Sequence, residues 1–142
     1  MIVEMKEEHL EQVLEIEHTL FSLPWQRKDF LFEIQENPVS FYYVYLEEGR
    51  VVGFIGSWVA YDQGEITNLG VHPDYQRRGI GEALLQYALK KEMKVCTLEV
   101  RASNYKAKAL YEKYGFKQAA VRKNYYDAPT EDALLMVKED FE

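Results

Sequence analysis

The spacing of apolar residues changes period several times along this chain, and each change marks a new element. In "EEHLEQVLEIEHTLF", Leu10, Val13, Leu14, Ile16 and Leu20 fall near helical spacing with acids opposite. That predicts an amphipathic helix after a short first strand at Met1 to Met5. "SLPWQRKDFLFEIQENP" reads as a second helix, opening near Ser22 or Leu23 and stopped at Asn37-Pro38, because the residue before a proline is pushed out of the α region. "VSFYYVYLEEGRVVGFIGSWVAY" is β-branched and aromatic, and reads as two strands about a turn at Glu47 to Arg50 with Gly49 inside it. "GEITNLGVHP" is a third strand, stopped by Pro73. Gly79 to Lys91 is a helix with Ile80, Ala83, Leu84, Tyr87 and Ala88 on its buried stripe. "KVCTLEVR" reads as a buried strand, and "NYKAKALYEKYGF" as a helix opened by Asn104 and closed by Gly115. The end, "KQAAVRKNYYDAPTEDALLMVK", gives two strands around a loop at Asp127 to Thr130. The order is βααβββαβαββ: an α/β fold on one mixed sheet, antiparallel early and with parallel βαβ character later.

Composition narrows the function classes. No repeat, low-complexity tract or linker interrupts the 142 residues, so 1–142 is expected to form a single domain. The net charge is −7, from 17 basic against 24 acidic residues. That disfavours a nucleic-acid partner and suits a cationic one such as a basic peptide. The lone cysteine, Cys96, permits no internal disulfide and points to a reducing compartment. "MIVEMKEEHLEQV" is no signal peptide, and no stretch approaches the roughly 18 apolar residues of a membrane span. A cytoplasmic protein is expected. His9, His18 and His72 are scattered without ligand spacing, so no metal site is proposed. By alternation Cys96 lies off the face of Glu99 and reads as core rather than nucleophile.

The chemistry concentrates in "HPDYQRRGIGEALLQYA", where two glycines open a helix directly after a strand. Helix N-termini expose unpaired N–H groups and the positive end of a dipole, and glycine lets the backbone close on a ligand. Gly79 and Gly81 would let the amides of Arg77, Arg78, Ile80 and Glu82 point at a pyrophosphate, with the two arginines adding charge. The segment lacks the Gly-Lys-Ser/Thr of a P-loop, and Leu84 stands where a dinucleotide fingerprint needs its third glycine. On the residues alone, a bare helix start with an exposed arginine pair accounts for a GxG equally well.

The whole phrase "NLGVHPDYQRRGIGEALL" resembles the acetyl-CoA-binding segment of the GNAT acyltransferase superfamily, with Gln76, Gly79 and Gly81 filling its Gln/Arg-x-x-Gly-x-Gly/Ala signature. "FSLPW", "LEVRASN", "ALYEKYGF" and "RKNYY…EDALLM" are similar to the RimI-type N-terminal acetyltransferases, which in bacteria modify the N-terminal alanine of a ribosomal protein. The resemblance implies an acetyl-CoA-dependent enzyme acting on the basic N-terminus of a small-subunit ribosomal protein. It implies that Gln76 to Glu82 bind the pyrophosphate, and that Leu69, Gly70 and Val71 form a bulged strand whose free N–H groups meet the thioester. Gly70 fits such a bulge; it would also simply relieve crowding in a buried strand. Asn104 caps its helix and, in the family, also contacts the cofactor.

Two residues are expected to move protons. Glu99 is the odd residue of a strand expected to be buried, where a carboxylate needs a partner or a task. The resemblance makes it the general base; the alternative is a salt bridge with Arg101 on the same face. Glu65 competes as base from the start of the preceding strand. Tyr111 is, by resemblance, the general acid for the departing thiolate, whereas an aromatic packed under the sheet suits Tyr114 better. Tyr125 and Tyr126 are placed by the family beside a peptide groove, opposite Leu23 to Gln26. A free α-amine titrates at about 7.7–8.0, whereas a lysine at about 10.4 is neutral in roughly one part per thousand. One carboxylate base therefore suits an N-terminus. A small-molecule amine acetyltransferase on the same scaffold is the competing reading, and a non-catalytic acetyl-CoA-binding module a third.

Overall fold

The structure is a computed structural model and describes residues 1–141. The strands are β1 (Ile2–Glu4), β2 (Ser40–Glu47), β3 (Arg50–Ala60), β4 (Gln63–Val71), β5 (Val95–Arg101), β6 (Lys117–Tyr126) and β7 (Glu131–Lys138). The helices are α1 (Leu10–Leu20), α2 (Arg27–Gln35), α3 (Ile80–Ala88) and α4 (Tyr105–Lys113). The element order is the one read from the sequence. One seven-stranded sheet runs β1-β2-β3-β4-β5-β7-β6. Every pairing is antiparallel except β4 with β5, the two strands joined by α3.

Each face of the sheet has its own core. On one, Ile66, Cys96, Leu98 and Val100 pack with Leu84, Leu85 and Ala88 of α3 and Tyr111 of α4. On the other, Leu10, Val13 and Ile16 of α1 and Phe30 of α2 meet Tyr42, Val44 and Phe54. Cys96 is fully buried, and its thiol is pushed up to about 12, chiefly by burial. Two helices differ from expectation, α2 at its start and α3 in its buried stripe and its end, which falls at Ala88 rather than Lys91. Helix α2 opens at Arg27, not at Ser22 or Leu23, because Gln26 caps it: Gln26 N donates to Asp29 Oδ2 at 2.8 Å. Ser22 to Trp25 is therefore an irregular segment leading from α1 to α2. On α3 the buried stripe is Ile80, Leu84, Leu85 and Ala88. Tyr87 lies at the solvent edge, its ring edge-on to Tyr43 at 4.8 Å and beneath the Lys90 ammonium.

Among the described residues no helix is long and apolar enough to cross a membrane. Nor do three or more His, Cys, Asp or Glu converge in a way that could hold a metal. His9 and His72 have local tasks: their Nδ1 atoms accept from Lys6 N and Asp74 N at 2.9 and 3.1 Å.

Candidate active site

The parallel pairing of β4 and β5 covers only Gln63 to Glu65 against Val95 to Thr97. Beyond it the strands part, and one edge of β4 is left open. Hydrogen-bond alternation shows which groups face the gap. His72 N donates to Val52 O at 2.8 Å, so that pair is bonded to β3. Gly70–Phe54 and Asn68–Gly56 follow in the same phase, which leaves Leu69 and Val71 with N–H and C=O aimed away from β3, into the gap. Gln76 confirms the direction: its Nε2 donates to Val71 O at 3.1 Å.

The bulge expected at Gly70 lies elsewhere. Gly70 pairs regularly with Phe54, whereas the register slips at Thr67, between the pairs Gly56–Asn68 and Ser57–Ile66. Gly70 is required by packing instead. A Cβ there would stand 2.9 Å from Phe54 Cε1 and 3.3 Å from Leu20 Cδ1. The bulge is braced from below by Tyr42, whose hydroxyl lies 2.8 Å from Thr67 Oγ1 and donates to Asn68 Oδ1 at 2.7 Å.

At the open end of the gap stands the N-terminus of α3. Gly79 is its cap, in the left-handed region at φ +79°, with open space where a side chain would be. Ala83 N, bonded to Gly79 O at 2.9 Å, is the first amide of the helix with an acceptor. Among the described residues the N–H groups of Arg77, Arg78, Gly79, Ile80, Gly81 and Glu82 donate to nothing. Free amides gathered at a helix N-terminus suit an anion. The side chains around them divide. Arg77 is exposed, while Arg78 lies 3.8 Å from Glu47 and over the Tyr75 ring. The Glu82 carboxylate turns away to α4, accepting from Lys113 Nζ at 2.5 Å and from the Tyr114 hydroxyl. Those bonds, Lys113's first, hold it below the usual carboxylate range. Asn104 caps α4, its Oδ1 accepting from Ala107 N at 3.2 Å.

Glu65 sits opposite Trp58 of β3 and Thr97 of β5, so Trp58, Glu65, Thr97 and Glu99 share one face. It is the face of α1 and α2, since Trp58 Nε1 donates to Glu33 of α2 at 3.0 Å. No helix covers β5 there, and its residues alternate between half-buried and buried. Glu99 is therefore half-buried, 23% exposed, rather than sealed. Its partner is not Arg101 but Arg122 of β6, with Nε 3.1 Å from Oε2. Oε2 is enclosed and, among the described residues, makes no hydrogen bond. Glu65 is raised above the ordinary carboxylate range by burial first, then by the charge of Glu99, with Arg122 opposing. Burial and the Glu99 charge likewise raise Tyr125, and push Tyr126 up to about 12.

Tyr111 approaches from the opposite face of β5. It is 8% exposed, edge-on to Phe116 at 5.8 Å, and burial pushes its phenol up to about 12. Tyr111, not Tyr114, is thus the tyrosine packed against the sheet. Glu99 and Tyr111 thus lie on opposite faces of the sheet at β5.

Sequence reasoning missed three polar residues here. Arg122 reads as one more charge on an exposed strand. Arg101 pairs with Glu131 at 3.3 Å, not with Glu99. Glu17 is buried in α1, its Oε2 accepting from Trp25 N at 2.9 Å while Oε1 has no partner, and burial raises its carboxyl. A glutamate at Ile16's neighbouring position on an apolar stripe was the available signal for the last.

Comparison with known proteins agrees with this geometry. The sequence profile of the Acetyltransferase (GNAT) family matches residues 10–116. The ribosomal protein bS18-alanine N-acetyltransferase of Escherichia coli (strain K12) is 38% identical over 127 residues, covering 85% of this chain and 84% of that protein. A Bacillus subtilis (strain 168) protein provisionally given the same activity is 38% identical over 136 residues, covering 93% and 90%. The crystal structure of the Escherichia coli ribosomal-protein-S18-alanine N-acetyltransferase superposes with a TM-score of 0.89 at 33% identity, covering 97% of this chain and 92% of that one. A splayed strand pair, a cradle of free amides at its mouth and a family profile spanning most of the chain lead to one conclusion: this chain belongs to the GNAT acetyltransferase family.

Proposed function

We propose that the protein transfers the acetyl group of acetyl-CoA to the α-amine of an N-terminal alanine, on a ribosomal protein of the bS18 kind. The observation that carries this reading is the β4–β5 gap. It has free strand amides along one side, a cradle of free helix amides at its mouth, and ionisable groups on both faces of β5. The similarity to bS18-alanine N-acetyltransferases supports the choice of acceptor.

The residues divide the work as follows. The amides of Arg77 to Glu82 hold the pyrophosphate, Arg77 adds charge, Gln76 steadies the end of β4, and Asn104 borders the cofactor while capping α4. Acetyl-CoA, when bound, supplies an activated thioester carbonyl and a thiolate leaving group. Glu99, paired with Arg122, accepts a proton from the attacking amine directly or through one water. The N–H of Leu69, and with it that of Val71, faces the gap in which the carbonyl oxygen gains charge; one preorganised donor of this kind is worth about 3 kcal/mol of barrier. Tyr111 keeps a proton at its hydroxyl for the sulfur. Against a free thiol at about 8.5 that transfer would be uphill, but the burial that raises the phenol also raises a thiol beside it. The α-amine, already partly neutral near pH 7.5, asks little of a single carboxylate.

The acceptor side is open. Leu23 is 64% and Tyr125 51% exposed. Trp25 stacks on Tyr42, which braces the Thr67 bulge, so the Ser22–Gln26 segment borders the reacting strand. An extended peptide fits such a face better than a small amine, which would need enclosure. The test is mass spectrometry of synthetic peptides incubated with protein and acetyl-CoA. The expected result is one acetyl group added to a basic alanine-starting ribosomal peptide and none to its N-terminally blocked twin with free lysines. Acetylation of polyamines or aminoglycosides alone would overturn the acceptor.

A further inference from the structure

One side chain joins three separate pieces of the acceptor face. Arg101 ends β5, and its guanidinium reaches across to the turn between β6 and β7. Nη2 donates to Asp127 O at 2.9 Å, and Nη1 donates to Pro129 O at 3.0 Å and to Glu131 Oε1 at 3.3 Å. The guanidinium also lies over the Tyr126 ring, 4.5 Å from its centroid. Glu131 is shared: its other oxygen accepts from Ser103 N at 2.6 Å, just ahead of α4. The pair is well shielded for a turn, with Arg101 28% and Glu131 18% exposed. A planar fork serving two carbonyls, a carboxylate and an aromatic face is an arrangement only arginine can make.

The β6–β7 ladder is continuous only as far as Arg122–Ala133; past an irregularity before Tyr126, the pair Tyr126–Glu131 closes the hairpin, and Glu131 is the residue that Arg101 holds. What the fork fixes is the position of the Tyr126 ring and of the turn that follows it; Tyr125 and Tyr126 both feel the charge of Glu99. We propose that Arg101 is a positioning residue for the acceptor: it locks the Asp127–Thr130 turn as a rigid rim, against which the first residues of the incoming peptide are bound. This rests on the acetyltransferase reading above. A rim that binds substrate and transition state alike changes KM and leaves kcat in place.

The experiment compares the full-length wild type with Arg101→Met, Arg101→Lys and Glu131→Gln in steady-state transfer to the alanine-starting peptide. Acetyl-CoA affinity is measured separately by calorimetry, and folding by thermal unfolding. Arg101→Met is expected to raise the peptide KM about tenfold or more, with kcat and acetyl-CoA affinity within about twofold of wild type. Arg101→Lys, lacking the fork, follows it, and Glu131→Gln gives a smaller rise of the same kind. The mildest variant covers the case in which Arg101→Met does not fold. An unchanged peptide KM in folded variants overturns the proposal, as does a parallel loss of kcat and acetyl-CoA affinity, which would make Arg101 a general structural residue. If wild type itself fails to acetylate the peptide, the acceptor reading falls and this inference falls with it; if wild type is active and the folded variants match it, the inference alone is wrong.

Discussion

Replacing Glu99 by Gln separates the two candidate bases. The substitution keeps size and removes the charge that pairs with Arg122 at 3.1 Å. If Glu99 takes the amine's proton, kcat falls by about 10²–10⁴, or roughly 3–5 kcal/mol of barrier at about 1.4 per tenfold. Acetyl-CoA binding is untouched, because the cradle lies on α3. Glu65 is then the remaining candidate base, and its titration moves in a defined direction. In the wild type it is raised by burial and by the charge of Glu99, with Arg122 opposing. In the variant one raising cause is gone and the Arg122 cation is unpaired, so the Glu65 carboxyl titrates lower and is a weaker base. Residual activity should persist to lower pH than expected from the wild-type Glu65, without recovering in magnitude. The assay is steady-state transfer to the alanine-starting peptide at saturating acetyl-CoA between pH 5 and pH 8.5, run alongside Glu65→Gln, whose kcat should stay within several-fold of wild type. An undiminished kcat in Glu99→Gln refutes the assignment. A collapse confined to Glu65→Gln would transfer the role to Glu65, and full activity in both would leave proton removal to solvent.

Three further outcomes follow from the same geometry. Gly70→Ala puts a methyl group 2.9 Å from Phe54, an overpacking cost of about 1–3 kcal/mol. It should lower Tm by several degrees in a thermal melt while acetyl-CoA affinity holds, and weakened binding at unchanged Tm would show a direct role for Gly70 in the cofactor strand. Gly81→Val behaves oppositely, since its Cβ meets only Val71 Cγ2 at 3.6 Å: Tm should be kept, and calorimetry should find acetyl-CoA binding at least about tenfold weaker as the side chain crowds the amides. Glu17→Gln tests a stability linkage. The folded-state carboxyl of Glu17 is raised by burial, so the ionised form destabilises the fold at neutral pH and protonation relieves it as pH falls toward the unfolded value. The variant should therefore melt higher than wild type at pH 8, with the gap closing near pH 4.5; an equal Tm at both values would mean the orphaned oxygen is compensated.

The sequence carries the element order almost completely, because each element announces itself through period and punctuation. Asn37-Pro38, Gly49, Pro73 and Gly115 all end or turn elements where they were expected to. The start of α2 was misread for a local reason. "SLPW" offers serine and proline as helix openers, and the reciprocal bonds of Gln26 and Asp29 that set the true start use an uncommon capping residue. The cradle was legible because its chemistry is local: the residues that strip acceptors from the amides are the residues of the motif. The slip at Thr67 was not, since a bulge depends on how two strands register and nothing in "EITNLGV" marks which residue is extra. The partners of the charged groups were illegible for the same reason. Arg101 and Glu99 share a face two residues apart, yet each finds its counterion on a strand more than twenty positions away.

The arrangement of Glu99 and Tyr111 follows from strand alternation once the gap exists. Successive residues of β5 point to opposite faces, one lined by half-buried polar groups and the other by Cys96, Leu98 and Val100 of the core. In the proposed mechanism, a base drawn from the first face stays near water and near an incoming amine, while an acid packed on the second is dry and holds its proton. The two could not exchange sides without cost. A carboxylate on the α4 side would be desolvated as Glu17 is, with its charge disfavoured, and a phenol on the open side would be free to lose its proton to solvent rather than to the sulfur. The proposed chemistry thus requires that β4 and β5 part company after Glu65. A parallel ladder continued to Arg101 would consume the amides of Leu69 and Val71 and close the gap. The slip at Thr67 stands two residues past the last paired position, where β4 must turn away, and Tyr42 holds it there.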